Sequence, residues 1–178
     1  MQNLGEEITG EYLKHIKGCE FIEYNLDTPD IQGEIDVVGI NIKKNEVYIC
    51  EVAIHTTGLG YVTDKKDDTV NRFMKKFRKD IKYAKEYFAD YEQHFMLWSP
   101  IVKKAGETAK NDQFKNVKEI EKNLRQEFGI ELELIINREY QECLEELRKH
   151  VRKETKEFKS PVLRMMQIEE TLKRHLEP

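Results

Sequence analysis

Two stretches decide the reading of this chain: Gln32-Gly33-Glu34-Ile35-Asp36-Val37-Val38-Gly39 and Val47-Tyr48-Ile49-Cys50-Glu51-Val52-Ala53-Ile54-His55. Both are rich in Ile and Val. They predict strands over 34–42 and 47–55, joined as a β-hairpin through Lys43-Lys44-Asn45-Glu46. Strand side chains alternate between faces. Glu34, Asp36 and Val38 therefore share one face, as do Ile49, Glu51, Ala53 and His55 on the next strand. Asp36 and Glu51 interrupt apolar runs, where a carboxylate is costly to bury unless it is paired or binds a cation. Two of them on adjacent strands bring hard oxygen ligands together for a divalent ion such as Mg²⁺. The periodicity equally allows each carboxylate to lie on a solvated sheet face.

Outward from the hairpin, Leu4, Ile8, Tyr12 and Ile16 recur every four residues and predict a helix ending near Gly18. Cys19 to Leu26 reads as a strand and Thr28-Pro29-Asp30 as a turn. A loop with Gly58 and Gly60 follows the hairpin. Val70, Phe73, Phe77, Ile81, Ala84 and Phe88 mark one face of a long helix. A strand at Phe95 to Trp98, a helix at Phe114 to Phe128 closed by Gly129, and a strand at Ile130 to Ile136 come next. Tyr140, Leu144, Leu147 and Val151 carry an amphipathic helix extending toward Phe158, and Pro161 opens a final helical segment through Leu176. The expected class is α/β, a central mixed sheet flanked by helices, with a helical C-terminal extension. The division is an α/β domain over 1–137 and an extension over 138–178, packed on the same domain or on a second subunit.

The 178 residues are enough for one core without staples. A net charge of −4 excludes a generally basic nucleic-acid binder but leaves room for a local basic patch. Cys19, Cys50 and Cys143 are odd in number and lack CxxC spacing, against a disulfide framework or a Cys-ligated zinc site. No run of eighteen apolar residues and no signal-peptide pattern is present, so the expected location is cytoplasmic, without membrane partners.

An initial helix, a strand reading Gly33-Glu34-Ile35-Asp36-Val37-Val38, a turn and an apolar strand carrying Glu51 resemble the PD-(D/E)XK nuclease superfamily, the restriction-endonuclease-like fold. As an order of elements the resemblance covers about residues 5 to 136, and its specific residues lie within 33–55. It implies a Mg²⁺-dependent endonuclease hydrolysing DNA phosphodiesters, with Mn²⁺ as a substitute and the metal held by Asp36 and Glu51. RNA is not distinguished from DNA at this level. A first-helix glutamate completes the shell in many relatives, and Glu11 fits that place better than Glu7. The literal Pro29-Asp30 pair sits in turn chemistry ahead of the strand and is set aside.

The departure is at Ala53, where the family pattern calls for Lys. Either a Lys comes from elsewhere, or another residue does its work, or the chain is a degenerate member acting as a nucleic-acid-binding or assembly module. In the long helix, Lys76 borders the buried face and Lys75 points outward. Lys76 is therefore the expected substitute, with Lys79 and Arg72 next. His55 is a further catalytic candidate on the Glu51 face. Lys65, Lys66, Arg72, Lys75 and Lys79 form a basic stretch suited to phosphates, and Lys103, Lys104, Lys110, Lys115, Lys118 and Lys122 form another. The seam of Tyr140, Leu144, Leu147 and Val151 packs either on its own sheet or against a second copy, a homodimer through the C-terminal helices.

Overall fold

The computed structural model describes residues 3–29, 33–105 and 112–176; Asp30, Gln32 and Lys110 lie outside the described residues. Asn3 caps the first helix, α1 (Leu4–Tyr12). Its side chain accepts from the Gly5 and Glu6 amides, and Glu6 accepts from the Asn3 amide in return. The helix runs on into a π-helical turn, Leu13–Lys17, and stops at Gly18 with φ 77°. Three antiparallel strands follow: β1 (Phe21–Asp27), β2 (Glu34–Asn41) and β3 (Glu46–Val52).

The region expected as a plain loop contains a small hairpin, β4 (Val62–Thr63) and β5 (Lys66–Asp67). Asp64 and Lys65 at its tip have φ of 50° and 63°. Paired positive φ values suit a two-residue hairpin turn, but Asp-Lys lacks the glycine that normally announces one. Then come α2 (Thr69–Tyr87), β6 (Glu92–Ser99), α3 (Gln113–Phe128), β7 (Leu132–Ile136), α4 (Asn137–Lys153) and α5 (Pro161–Leu176).

The molecule is an α/β protein with a five-stranded mixed sheet in the order β1-β2-β3-β6-β7. The β3–β6 and β6–β7 pairs are parallel, so α2 and α3 are crossover helices, and both cover one face. Phe73, Phe77 and Ile81 of α2 and Ile120 and Leu124 of α3 are buried there against Ile49 and Leu97. On the other face α1, α4 and α5 close over Val37, Cys50 and Met96. Trp98, fully buried, makes edge contacts with Tyr12 at 5.3 Å and Tyr140 at 5.9 Å. The C-terminal helices thus lie on the sheet of their own chain. Among the described residues no helix is long and apolar enough to cross a membrane.

Strands β1, β6 and β7 shift by one to three residues from the sequence expectation, and two larger differences have identifiable reasons. The third strand stops at Val52, not His55: its ladder to β2 ends at the Val37–Cys50 pair, beyond which the Val52 amide donates to Asp36 Oδ2 at 2.8 Å, and its pairing with β6 ends at Val52 with Trp98. Helix α4 stops at Lys153 short of Phe158, and the Gln167 amide of α5 donates to the freed carbonyls of Glu154 and Lys156. Ser160 caps α5 and donates to Glu7 Oε1 at 2.7 Å, tying α5 to α1.

Candidate active site

Asp36 and Glu51 come from neighbouring antiparallel strands whose register, Val37 with Cys50, sets them side by side. They lie on the face covered by α2. Asp36 is 7% exposed and Glu51 0%. Helix α2 brings Lys76 across to them. Its Nζ donates to Asp36 Oδ1 at 3.3 Å and Oδ2 at 3.2 Å, and to Glu51 Oε2. Ala53 is buried under α2 within the apolar core. The cation absent from position 53 therefore arrives from the helix facing it. Burial alone would lower the Lys76 pKa, but Glu51 and Asp36 outweigh it and hold the ammonium charged.

One turn further along α2 stands Asp80, a residue that sequence reasoning passed over. It is 0% exposed. Lys79 Nζ lies 3.3 Å from its Oδ1 and donates to the Glu34 carbonyl oxygen. Asp80 and Glu51 are electrostatic neighbours, and the pKa of each is raised. Burial is the main cause for each; Asp80 and then Asp36 add to it at Glu51. Asp80 is pushed up to about 6, and Glu51 well above the ordinary carboxylate range. Glu51 Oε1 and Asp80 Oδ2 are buried without a hydrogen-bond partner, and Asp80 Oδ1 has only the Lys79 ion pair. Buried polar atoms left in this way are uncommon in folded proteins. Carboxylate oxygens with spare lone pairs are donors of the kind a hard divalent cation takes, but Asp36, Glu51 and Asp80 do not bring three ligand atoms within 4.8 Å of one another.

The site opens into a cleft of about 350 Å³ lined by Gly33, Glu34, Asp36, Arg72, Lys75, Lys76 and Lys79. Gly33 has φ 135°, a conformation open mainly to glycine, and Lys79 Nζ lies 3.4 Å from where its Cβ would be. Arg72 is exposed and stacks over the Tyr61 ring at 4.4 Å. Burial raises the Tyr61 pKa first of all, and the ring also feels Lys76, Arg72, Asp36 and Glu51. It therefore belongs to the same neighbourhood, and its only signal in the sequence is its place in a glycine-rich loop.

The expected site residues separate into groups. Asp36, Glu51 and Lys76 come together. Lys65, Lys66 and Lys75 are exposed, the first two at the β4–β5 hairpin. Lys79 is not the free phosphate contact expected of it: at 6% exposure its ammonium is committed to Glu34 and Asp80. His55, expected on the strand face of Glu51, lies beyond the strand end. It is exposed, with Nε2 3.4 Å from the Tyr61 hydroxyl. Glu11 is not brought to the pair, because α1 covers the opposite face of the sheet. Its carboxylate lies 3.0 Å from His15 Nε2, and burial raises its pKa. Glu7 is engaged with Ser160.

Among the described residues one group of three ligating side chains has its ligand atoms within 4.8 Å of one another: Glu46, Glu92 and His94. It stands at the start of β3 and β6, across the sheet from α2. Glu46 accepts from the Tyr48 hydroxyl at 2.8 Å, and His94 Nδ1 lies 3.2 Å from Glu133. A scan against protein-family models finds none that matches, and searches of curated proteins and of solved structures return no match.

Proposed function

We propose that this chain is a metal-dependent nuclease of restriction-endonuclease-like fold, hydrolysing phosphodiester bonds in DNA. The observation that carries the reading is the reach of Lys76 from α2 to the carboxylates of Asp36 and Glu51. It restores the two-acid, one-cation set that Ala53 had interrupted. Asp36 and Glu51 would hold Mg²⁺ or Mn²⁺, which supplies Lewis acidity for attack of water on the phosphorus. Lys76 is a fixed ammonium beside the acids, in position to offset charge developing on the nonbridging oxygens. Arg72 and Lys75 at the cleft, with Lys65 and Lys66 on the hairpin, contact the phosphate backbone.

A homodimer is the assembly this reading favours. Met165, Ile168, Leu172 and Leu176 form an exposed apolar stripe on α5, and a second copy of α5 is the occupant that would place two sites on the two strands of a duplex. Sedimentation of the wild type against Ile168→Glu/Leu172→Glu tests that assembly; two monomers would remove it.

The decisive test is cleavage of supercoiled plasmid, linear duplex, single-stranded DNA and RNA with Mg²⁺ and with Mn²⁺. Cleavage of DNA abolished by Asp36→Asn and by Glu51→Gln is the expected result. A folded wild type that cuts none of these overturns the reading. Salt-dependent binding without cleavage would leave the nucleic-acid-binding module in its place.

A further inference from the structure

At the start of β3 and β6 three strands bring acids to one place. Glu46 and Glu92 are register partners across the parallel β3–β6 pair. Like charges directly opposite on neighbouring strands are destabilising unless something stands between them. Two residues on, Tyr48 and His94 are partners too, and their rings stack at 4.7 Å with 15° between the planes, which fixes the imidazole. Glu133 on β7 adds a third acid, 3.2 Å from His94 Nδ1. Ammonium compensation is loose. Lys44 Nζ reaches only 4.0 Å from Glu46 Oε2 on a largely exposed side chain, and among the described residues no ammonium pairs with Glu92 or Glu133.

The imidazole supplies a second and independent observation. A carboxylate only accepts, so the contact with Glu133 puts the ring proton on Nδ1. In the neutral ring the Nε2 lone pair is then free. Nε2 is buried without a hydrogen-bond partner and lies 3.8 Å from Glu92 Oε1, too far for a hydrogen bond. Two ligands bound to one tetrahedral Zn²⁺ at about 2.0–2.1 Å stand about 3.4 Å apart, so the gap suits an ion better than a proton. Ligand atoms of Glu46, Glu92 and His94 all lie within 4.8 Å of one another. Around them Tyr48 donates to Glu46 Oε2 at 2.8 Å and Glu133 holds His94, the kind of outer hydrogen bonds that orient ligands at metal centres.

We propose that Glu46, Glu92 and His94 bind a transition-metal ion of the Zn²⁺ class. Imidazole with carboxylates suits such ions, whereas Mg²⁺ takes oxygen ligands. The group lies across the sheet from Asp36 and Glu51, so it stands or falls apart from the function proposed above. Its effect is structural: the ion staples the starts of β3 and β6, which the chain connects only through the α2 crossover.

Calorimetric titration of Zn²⁺ into the full chain, in excess Mg²⁺, tests this without any nuclease assay. Mg²⁺ competes for sites made of oxygen alone and leaves the imidazole site to Zn²⁺. The wild type should bind Zn²⁺ and its melting temperature should rise on saturation. Glu92→Gln and His94→Ala should each weaken binding tenfold or more and lose that rise. Should His94→Ala fail to fold, Glu92→Gln decides, since its side chain is largely exposed. His150→Gln, at the paired rings of His15 and His150, should bind as the wild type does.

A wild type that takes up no Zn²⁺ overturns the proposal. Equal affinity in Glu92→Gln and the wild type overturns it too. Loss of binding in His150→Gln does the same, by placing the ion with His15 and His150.

Discussion

The two faces of the sheet solve the same packing problem with different side chains. Under α1, α4 and α5 the acids have partners: Glu146 accepts from Tyr12 at 2.6 Å and Glu170 from Arg152 and Lys173, while the buried atoms left without a hydrogen bond belong to Thr9, Trp98 and His94. Under α2 the burial is as complete, and there the atoms without a hydrogen bond are carboxylate oxygens, of Glu51 and Asp80. A satisfied polar network adds to stability or is neutral, whereas an unsatisfied buried acid is a standing cost. Where a protein carries that cost, function is the natural place to look for the return. That difference in the kind of group left unsatisfied is why the proposed chemistry is assigned to the α2 side.

The largest expected effect breaks the α2 face at its cation. Lys76→Ala should lower phosphodiester cleavage by about a thousandfold, roughly 4 kcal/mol of barrier, because among the described residues no other ammonium bridges Asp36 and Glu51. Single-turnover rates at saturating Mg²⁺ measure it. Lys75→Ala, one residue away but exposed, should leave the saturated rate within a few-fold. Equal losses in both variants would mean that Lys76 acts through binding alone.

Next comes the rim of the same face. Reversing charge at Arg72 and Lys75 together should weaken DNA binding by more than tenfold at low salt and flatten the dependence of affinity on salt by about two counterions. Lys79 was expected in this group and is now left out, since its ammonium is buried against Glu34 and Asp80. Lys79→Ala should cost stability instead, seen as a lower denaturation midpoint with the salt slope unchanged. Fluorescence anisotropy over a salt series separates the two behaviours.

What the sequence made legible follows from distance along the chain. The strand pair holding Asp36 and Glu51 is local, and alternation within it is enough to place both acids on one face. Lys76 was legible because helical periodicity ranks it nearer the buried face than Lys75. Asp80 was overlooked although the same rule reaches it: it stands three residues after Phe77 and four before Ala84, nearer the buried face than Lys76. The reading looked along α2 for cations to replace the missing Lys and so passed over an acid on its apolar face. Glu11 was misplaced for a related reason: periodicity says which face of α1 is buried, not which side of the sheet it covers. His55 was misplaced because β3 parts from β2 after Cys50 and from β6 after Val52, with the Val52 amide taken by Asp36, and alternation along one strand does not show where its neighbours end. The C-terminal helix boundaries at Pro161 and Gly129 were legible because those residues fix backbone conformation by themselves.

On the opposite face the effects should be smaller and purely structural. Tyr12→Phe removes the bond to Glu146 while keeping the ring against Trp98, and about 1 kcal/mol of stability should go with it. Denaturant unfolding measures the loss, and Mn²⁺ affinity should not change. A matching change in metal affinity would mean that the faces are coupled through the sheet and that the contrast drawn between them is too sharp.

The smallest effect is a pH dependence confined to that second face. His15 lies in α1's continuing turn, with its ring 4.6 Å from His150 and 5.6 Å from Phe158. Its pKa is lowered, first by burial and then by His150 and Lys14, with Glu154 opposing. The nearby Glu11 carboxylate, 3.0 Å from Nε2, can accept the N–H of a neutral ring, so this contact does not require a charged His15. A histidine whose folded pKa lies below its unfolded value of about 6.5 is protonated first in the unfolded chain. Its contribution to stability is therefore full above that pH and is lost as the pH falls through 6.5 toward the lowered value. His15→Gln keeps a donor for Glu11 but cannot titrate, so the difference in melting temperature between variant and wild type should change between pH 7.5 and pH 5.5, by about 2 °C at most, with the variant gaining at the acid end. The opposite sign would mean that Glu11 holds His15 charged and that the α1 face, like the α2 face, carries a buried ion pair.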